Sequence, residues 1–225
     1  MSLWVKICGQ TSLADAQLSV EAGADAVGFV LAPSPRRITV PQVASIVSHL
    51  AAPVEKIGVF VDAEFEEIQS AVRECGLTGI QLHFAANRAL PAQLREHFGP
   101  TLRILHVLHF EAGAGDTLSQ QLSEYTRNPS IDGVLVDSRT GSAVGGTGVT
   151  FDWAEAHATI FSAAGQLKLV AAGGLNPSNV ATAISTLHPW GVDAVSGVEQ
   201  SPGRKDPIKV REFVRRARAA RDISQ

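Results

Sequence analysis

Short apolar, β-branched runs alternate along this chain with stretches whose apolar residues recur three and four positions apart. The runs predict strands at Val5–Cys8, Ala26–Leu31, Lys56–Val61, Gly79–His83, Arg103–Leu108, Gly133–Asp137, Lys168–Ala172 and Ala194–Val198. Between them, positions such as Val43, Ile46, Val47 and Leu50 share one face of a helix. Successive strands start roughly 20–35 residues apart, the size of one βα unit. Helix starts support this parsing. Ser12 with Asp15 three residues on resembles a capping box, and Asn176 before Pro177 sets an N-cap residue ahead of a proline suited to a first helical turn. No linker-like segment divides residues 1–225, so one domain is expected. Eight such units predict an α/β fold of the single-domain (β/α)8 TIM-barrel kind. A doubly wound open sheet is the competing architecture, but it is usually complete with fewer units.

Strand alternation assigns faces. Val5 and Ile7 share one side of the first strand and are expected to meet the helices, whereas Lys6 and Cys8 point into the barrel. Gln81 pairs with His83 and Leu135 with Asp137 by the same rule. Barrel chemistry sits at the carboxyl ends of the strands. Cys8, His83 and Asp137 all fall there and converge on one mouth. A weak repeat marks the opposite ends. Gly23-Ala-Asp-Ala-Val, Asp132-Gly-Val and Gly191-Val-Asp-Ala-Val each lead into a strand. Asp25, Asp132 and Asp193 are therefore expected at the bottom face, where special residues serve stability.

Composition narrows the partners. Hydrophobic residues make up 45% of the 225, charged residues 18%, and the net charge is −3. That is a globular composition without the basic stripe that nucleic-acid binding needs, and Arg211 to Arg221 read as one solvated helix face. No apolar run is long enough to cross a bilayer, and the N-terminus has no signal-peptide pattern. Cys8 and Cys75 are the only cysteines. They make no disulfide framework and no zinc spacing, and they suit a reduced, cytoplasmic setting. Cys75, ahead of Gly76, reads as packing. The pattern carries no signal of oligomeric state.

Glycines add a phosphate candidate. Gly173-Gly174 follows the seventh strand and Ser196-Gly197 the eighth. Barrels often bind phosphate with these two loops, because a missing Cβ lets backbone N–H groups approach an anion. The glycine-rich segment SRTGSAVGGTGVTFDW after the sixth strand reads as a lid or as a surface loop. His106 and His109 do not share a strand face and carry no motif. Arg36 and Arg37 are solvated loop charges unless a carboxylate engages one of them.

The chain resembles phosphoribosylanthranilate isomerases. VKICG, GADAVGFV with SPRRI, GVFV, QLH, VDS, GGTG-TFDW, GGLNP-NV and SGVE-SPG-KD occur in that family's order, nearly end to end. The resemblance implies a (β/α)8 enzyme of tryptophan biosynthesis that needs neither metal nor cofactor. Its reaction is an Amadori rearrangement. N-(5-phosphoribosyl)anthranilate becomes 1-(2-carboxyphenylamino)-1-deoxyribulose 5-phosphate, so the implied partner is a small phosphosugar-anthranilate. The motifs imply Cys8 as general base and Asp137 as general acid. They imply Arg37, rather than the adjacent Arg36, on the anthranilate carboxylate, with His83 lining the site. Gly173, Gly174, Ser196 and Gly197 would hold the phosphate. A carboxyl acting as acid at neutral pH needs a raised pKa, and a thiol acting as base needs help to ionise. Lys6 is placed to favour the thiolate, or to pair with a carboxylate such as Glu199.

Three stretches depart from the family pattern: Phe84-Ala85-Ala86 after QLH, Val149 in the loop after the sixth strand, and DAVSGVE near the end. A histidine-biosynthesis barrel that rearranges a different aminoaldose is the alternative enzyme, but its base on the first strand is an aspartate. A non-catalytic phosphosugar-binding barrel is the other alternative. Intact Cys8 and Asp137 argue against it.

Overall fold

Strand β1 is Trp4–Ile7, β2 Ala26–Val30, β3 Glu55–Val61, β4 Gly79–His83, β5 Arg103–Phe110, β6 Gly133–Ser138, β7 Lys168–Ala171 and β8 Gly191–Ala194. All neighbours pair in parallel and in sequence order, and β8 returns to β1 to close the barrel. A computed structural model describes residues 3–83, 87–111, 113–138, 152–163 and 165–223. The stretch Phe84-Ala85-Ala86, Val149 and the glycine-rich lid candidate lie outside the described residues, apart from Asp137-flanking Ser138 and the segment's last two residues.

Helices α1 (Leu13–Glu21), α2 (Val40–Val47), α3 (Phe65–Cys75), α4 (Leu90–Phe98), α5 (Gly115–Thr126), α6 (Trp153–Thr159), α7 (Val180–Leu187) and α8 (Pro207–Ile223) follow the strands in turn. Among the described residues, no helix is long and apolar enough to cross a membrane. A two-stranded ribbon, β9 (Glu199–Ser201) with β10 (Arg204–Lys205), interrupts the last unit.

The faces follow the alternation. Val5 and Ile7 are fully buried among residues such as Phe213 and Val214 of α8, in the layer between strands and helices. Burying a side chain of that size stabilises the fold by roughly 1.5–3 kcal/mol. Trp4 turns the other way, into the barrel, with Ala26, Ile57, Leu105 and Val170. Below them Arg103 pairs with Glu55 at 2.6 Å and lies over the Trp190 ring, sealing the bottom. Cys75 is buried at the end of α3, as packing requires.

Two helix starts differ in detail. Ser12 Oγ accepts from the Asp15 amide, but the Asp15 carboxylate reaches across to the Lys205 amide instead of closing the box. Helix α7 begins at Val180 with Asn179 before it, three residues later than Asn176-Pro177 suggests. Asn176 caps a preceding turn, its Oδ1 accepting from the Ser178 amide.

The larger correction concerns β8. It spans Gly191–Ala194, and Ser196–Val198 is a short 3-10 turn. Pairing with β1 sets this register: Trp4 stands opposite Gly191 and Ile7 opposite Ala194, so the chain leaves the barrel level with Cys8. Asp193 is therefore inside a strand, opposite Lys6, and is no bottom-face residue.

Candidate active site

A cavity of about 530 Å³ opens at the carboxyl ends of the strands. Residues of β2, β3, β4, β6 and β8 form its floor and walls, among them Gln81, His83, Asp137 and Asp193, together with Cys8 just past β1 and Ala172 just past β7. Of the residues singled out by sequence, Cys8, His83, Asp137, Gly173, Gly174 and Ser196 line it. Arg37 and Gly197 do not.

Cys8 is held on both sides of its peptide. Its N–H donates to Ala194 O at 2.9 Å, and its carbonyl accepts from Lys205 Nζ at 2.6 Å. Opposite it, Gly28 leaves the space that the thiol and Lys6 fill: a Cβ there would come within 2.5 Å of the sulfur. Any larger residue at 28 displaces the cysteine from its place.

Lys6 is fully buried and donates to Gln81 Oε1 and to Asp193 Oδ2, each at 3.0 Å, with the Cys8 thiol beside it. Burial alone would lower its pKa, but Asp193 and Cys8 outweigh that and raise it, so an ammonium stands at the barrel centre. Its carboxylate partner is Asp193, not Glu199. Burial pushes the Cys8 thiol above its usual pKa. Lys6 and Lys205 pull it back, while Asp193 opposes them. Cys8 thus rests as a thiol beside an ammonium ready to receive the charge of a thiolate.

Glu199 serves a second cluster. It holds Arg36 in a two-pronged pair at 2.8–3.1 Å and accepts from Lys205 at 3.1 Å. Burial works against its charge, but the Arg36 and Lys205 hydrogen bonds prevail and hold its carboxyl below the usual range. The cluster ties together the turns after β1, β2 and β8.

The arginine at the mouth is Arg36. A tight turn decides this: the amide of Arg36 donates to Ser34 Oγ and that of Arg37 to Ser34 O. Arg37 then bridges to the edge of β2 at Val30 and its side chain is exposed, whereas Arg36 lines the cavity.

The loops after β7 and β8 are locked to each other. Gly173 and Gly174 both take positive φ, 78° and 66°, and the Gly174 carbonyl accepts from the side-chain Nδ2 groups of Asn176 and Asn179. Gly197 contributes by contact, not by lining: a Cβ there would collide with the Leu175 carbonyl oxygen. Sequence reasoning missed Asp193, Gln81, Gly28 and the Arg36–Glu199–Lys205 cluster. The letters E and K of the SGVE-SPG-KD motif were the available signal for the last.

The ring of His109 lies 5.8 Å from that of His83, while His106 packs against Tyr125.

Comparison with known proteins agrees with this geometry. The family described as N-(5'phosphoribosyl)anthranilate (PRA) isomerase matches residues 5–216. An N-(5'-phosphoribosyl)anthranilate isomerase of Pelobacter propionicus is 39% identical over 221 residues, 98% of each chain. The crystal structure of phosphoribosyl anthranilate isomerase from Thermotoga maritima superposes with a TM-score of 0.81 at 34% identity, covering 96% of this chain and 99% of that one. A further structure of such an isomerase, with a TM-score of 0.81 at 32% identity and the same coverage, holds reduced 1-(o-carboxyphenylamino)-1-deoxyribulose 5-phosphate. By sequence across the barrel and by fold over nearly its whole length, this chain belongs to the N-(5'-phosphoribosyl)anthranilate isomerase family, the isomerases of tryptophan biosynthesis.

Proposed function

We propose that the family's isomerisation runs here through Cys8 as general base and Asp137 as general acid, on a substrate anchored at both ends. The observation that carries this assignment is the thiol of Cys8, set beside the buried Lys6 ammonium, in a cavity that Asp137 also lines. Asp137 gives its proton to the ring oxygen as the C1′–O4′ bond opens and the anthranilate nitrogen forms the Schiff base. Cys8 takes the C2′ proton, and the electron pair of that C–H bond moves to neutralise the iminium as the enolamine. Ketonisation returns a proton to C1′ and removes one from the 2′-hydroxyl, so no atom is gained or lost.

The charges suit these steps. A thiolate formed at Cys8 faces Lys6 directly and Lys205 through its own carbonyl group. Arg36 offers the guanidinium edge not used by Glu199 to the anthranilate carboxylate. The backbone of Gly173, Gly174 and Ser196 receives the phosphate, where no side chain blocks close approach at the glycines.

A turnover assay tests the reading. Anthranilate-type fluorescence falls as the folded protein consumes freshly prepared phosphoribosylanthranilate, and Arg36→Ala raises KM while Arg37→Ala leaves it near the wild-type value. Equal KM effects of the two substitutions would return the carboxylate to Arg37. Folded wild-type protein without turnover would overturn the whole assignment.

A further inference from the structure

A lysine ammonium has three N–H donors and no acceptor. In this barrel Lys6 gives one to Gln81 Oε1 and one to Asp193 Oδ2, each at 3.0 Å, and accepts from neither. The consequence travels outward. Because Lys6 only donates, Gln81 must turn its carbonyl oxygen towards it. The amide NH2 of Gln81 then faces the other way, 2.9 Å from Nε2 of His83. An imidazole nitrogen that accepts a hydrogen bond carries no proton, so in a neutral ring the proton is on Nδ1. The ring is neutral: burial first, then His109, Lys6 and His106, push the His83 pKa down to about 3. Nδ1 is buried and meets no partner among the described residues, and the side chain lines the cavity. A buried N–H without an acceptor points to one supplied from outside the chain.

We propose that Asp193, Lys6 and Gln81 form a buried relay that fixes His83 as the Nδ1–H tautomer and presents it as a neutral donor to an oxygen of the bound sugar. Asp193, Lys6 and Gln81 act through His83 and are positioning residues. His83 is a substrate-orienting donor, not an acid or base, since a ring that stays neutral exchanges no proton near neutral pH. Asp193 anchors the relay because its charge holds the ammonium at the barrel axis. Its second oxygen, Oδ1, is buried and also meets no partner among the described residues, so the carboxylate spends its hydrogen bonding on Lys6 alone. The donor role rests on the proposed reading of the cavity as the substrate site. The tautomer does not, because it is set in the free protein.

Long-range 1H–15N correlation spectra of histidine-labelled protein read the tautomer without substrate. The chain has seven histidines, and His83→Asn identifies the His83 signals. The expected spectrum has a pyrrole-type Nδ1 and a pyridine-type Nε2 that do not titrate between about pH 5 and 8. Gln81→Glu replaces the amide by a group that only accepts, so the proton moves to Nε2 or the ring becomes imidazolium. Kinetics then locate the donor. His83→Asn puts an amide N–H where Nδ1 stood and keeps kcat/KM within about 10-fold of wild type, whereas His83→Gln places it at the Nε2 position and loses about 10–100-fold. A pyridine-type Nδ1 in the wild type, an unchanged tautomer in Gln81→Glu, or equal activity of the two His83 variants overturns the proposal. If Gln81→Glu does not fold, the wild-type spectrum alone still decides the tautomer. Turnover of phosphoribosylanthranilate by the same sample separates a failed relay from a failed assignment of the site.

Discussion

Asp25, Asp132 and Asp193 sit in nearly the same local words, yet two of them clamp the bottom of the barrel and the third lies in its reacting mouth. Asp25 precedes β2, and its Oδ2 accepts from the Val5 amide of β1 and from Arg218. Asp132 precedes β6 and does the same with the Ile104 amide of β5 and with Arg95. Each satisfies the amide of a strand's second residue and pairs with an arginine in partly exposed surroundings. Asp193 is further on, within its strand, and 5% exposed. There it faces Lys6 at 3.0 Å, its side chain almost wholly buried at the floor of the cavity. A shift of three residues relative to the strand start turns a structural clamp into the counter-ion of the buried Lys6.

The sharpest break of this comparison lies in activity. Cys8→Ala and Asp137→Asn remove the proposed base and acid at the mouth and are expected to lower kcat about 10²–10⁴-fold with little change in urea midpoint. The bottom clamps have no such effect, and Asp132→Asn is expected to leave kcat/KM at the wild-type value. Near-normal kcat in either mouth variant, measured by the fluorescence assay, would remove that residue's role.

Stability gives the next largest contrast. Asp193→Asn leaves a buried ammonium without its counter-ion and is expected to cost about 3–5 kcal/mol in urea unfolding. Combining it with Lys6→Met removes both charges and recovers most of that loss, but not the activity. Asp132→Asn loses only a partly exposed pair and keeps an acceptor for the Ile104 amide, so about 1–2 kcal/mol is expected. Equal costs for Asp193→Asn and Asp132→Asn would show that burial does not separate the two aspartates.

The smallest effect is a shift in pH dependence. Burial raises the Cys8 pKa, so kcat/KM keeps climbing with pH beyond the ordinary thiol value of about 8.5. Asp193 also raises it, so Asp193→Asn moves that limb to lower pH. Lys6 lowers it, so Lys6→Met moves the limb higher. Asp132→Asn leaves the limb in place. A limb that stays fixed in Asp193→Asn would uncouple Asp193 from the thiol.

The strand-and-helix alternation made the barrel legible, because a period of two switching to one near 3.6 is a property of neighbouring residues. Seven of the eight strands begin within one residue of where the runs of β-branched residues place them. The eighth does not, since Val195 and Val198 look like strand but belong to a turn packed on Leu175. Cys8, His83 and Asp137 were legible for the same reason: each is an odd residue on an inward face at a strand end. Arg36 and Arg37 were not separable, because a two-residue choice depends on a turn anchored at Ser34.

What the chain's own order determined, then, is the barrel, its inward faces and the thiol at the end of β1. Those follow from local periodicity and from motifs a few residues long. Only the closed tertiary structure decided what surrounds that thiol. The pairs Lys6–Asp193 and Arg36–Glu199 join residues separated by 187 and 163 positions, and they exist because β8 closes against β1 in one register. Local sequence has no term for that register. It is set by packing around the whole barrel, and with it the identity of the counter-ion beside Cys8.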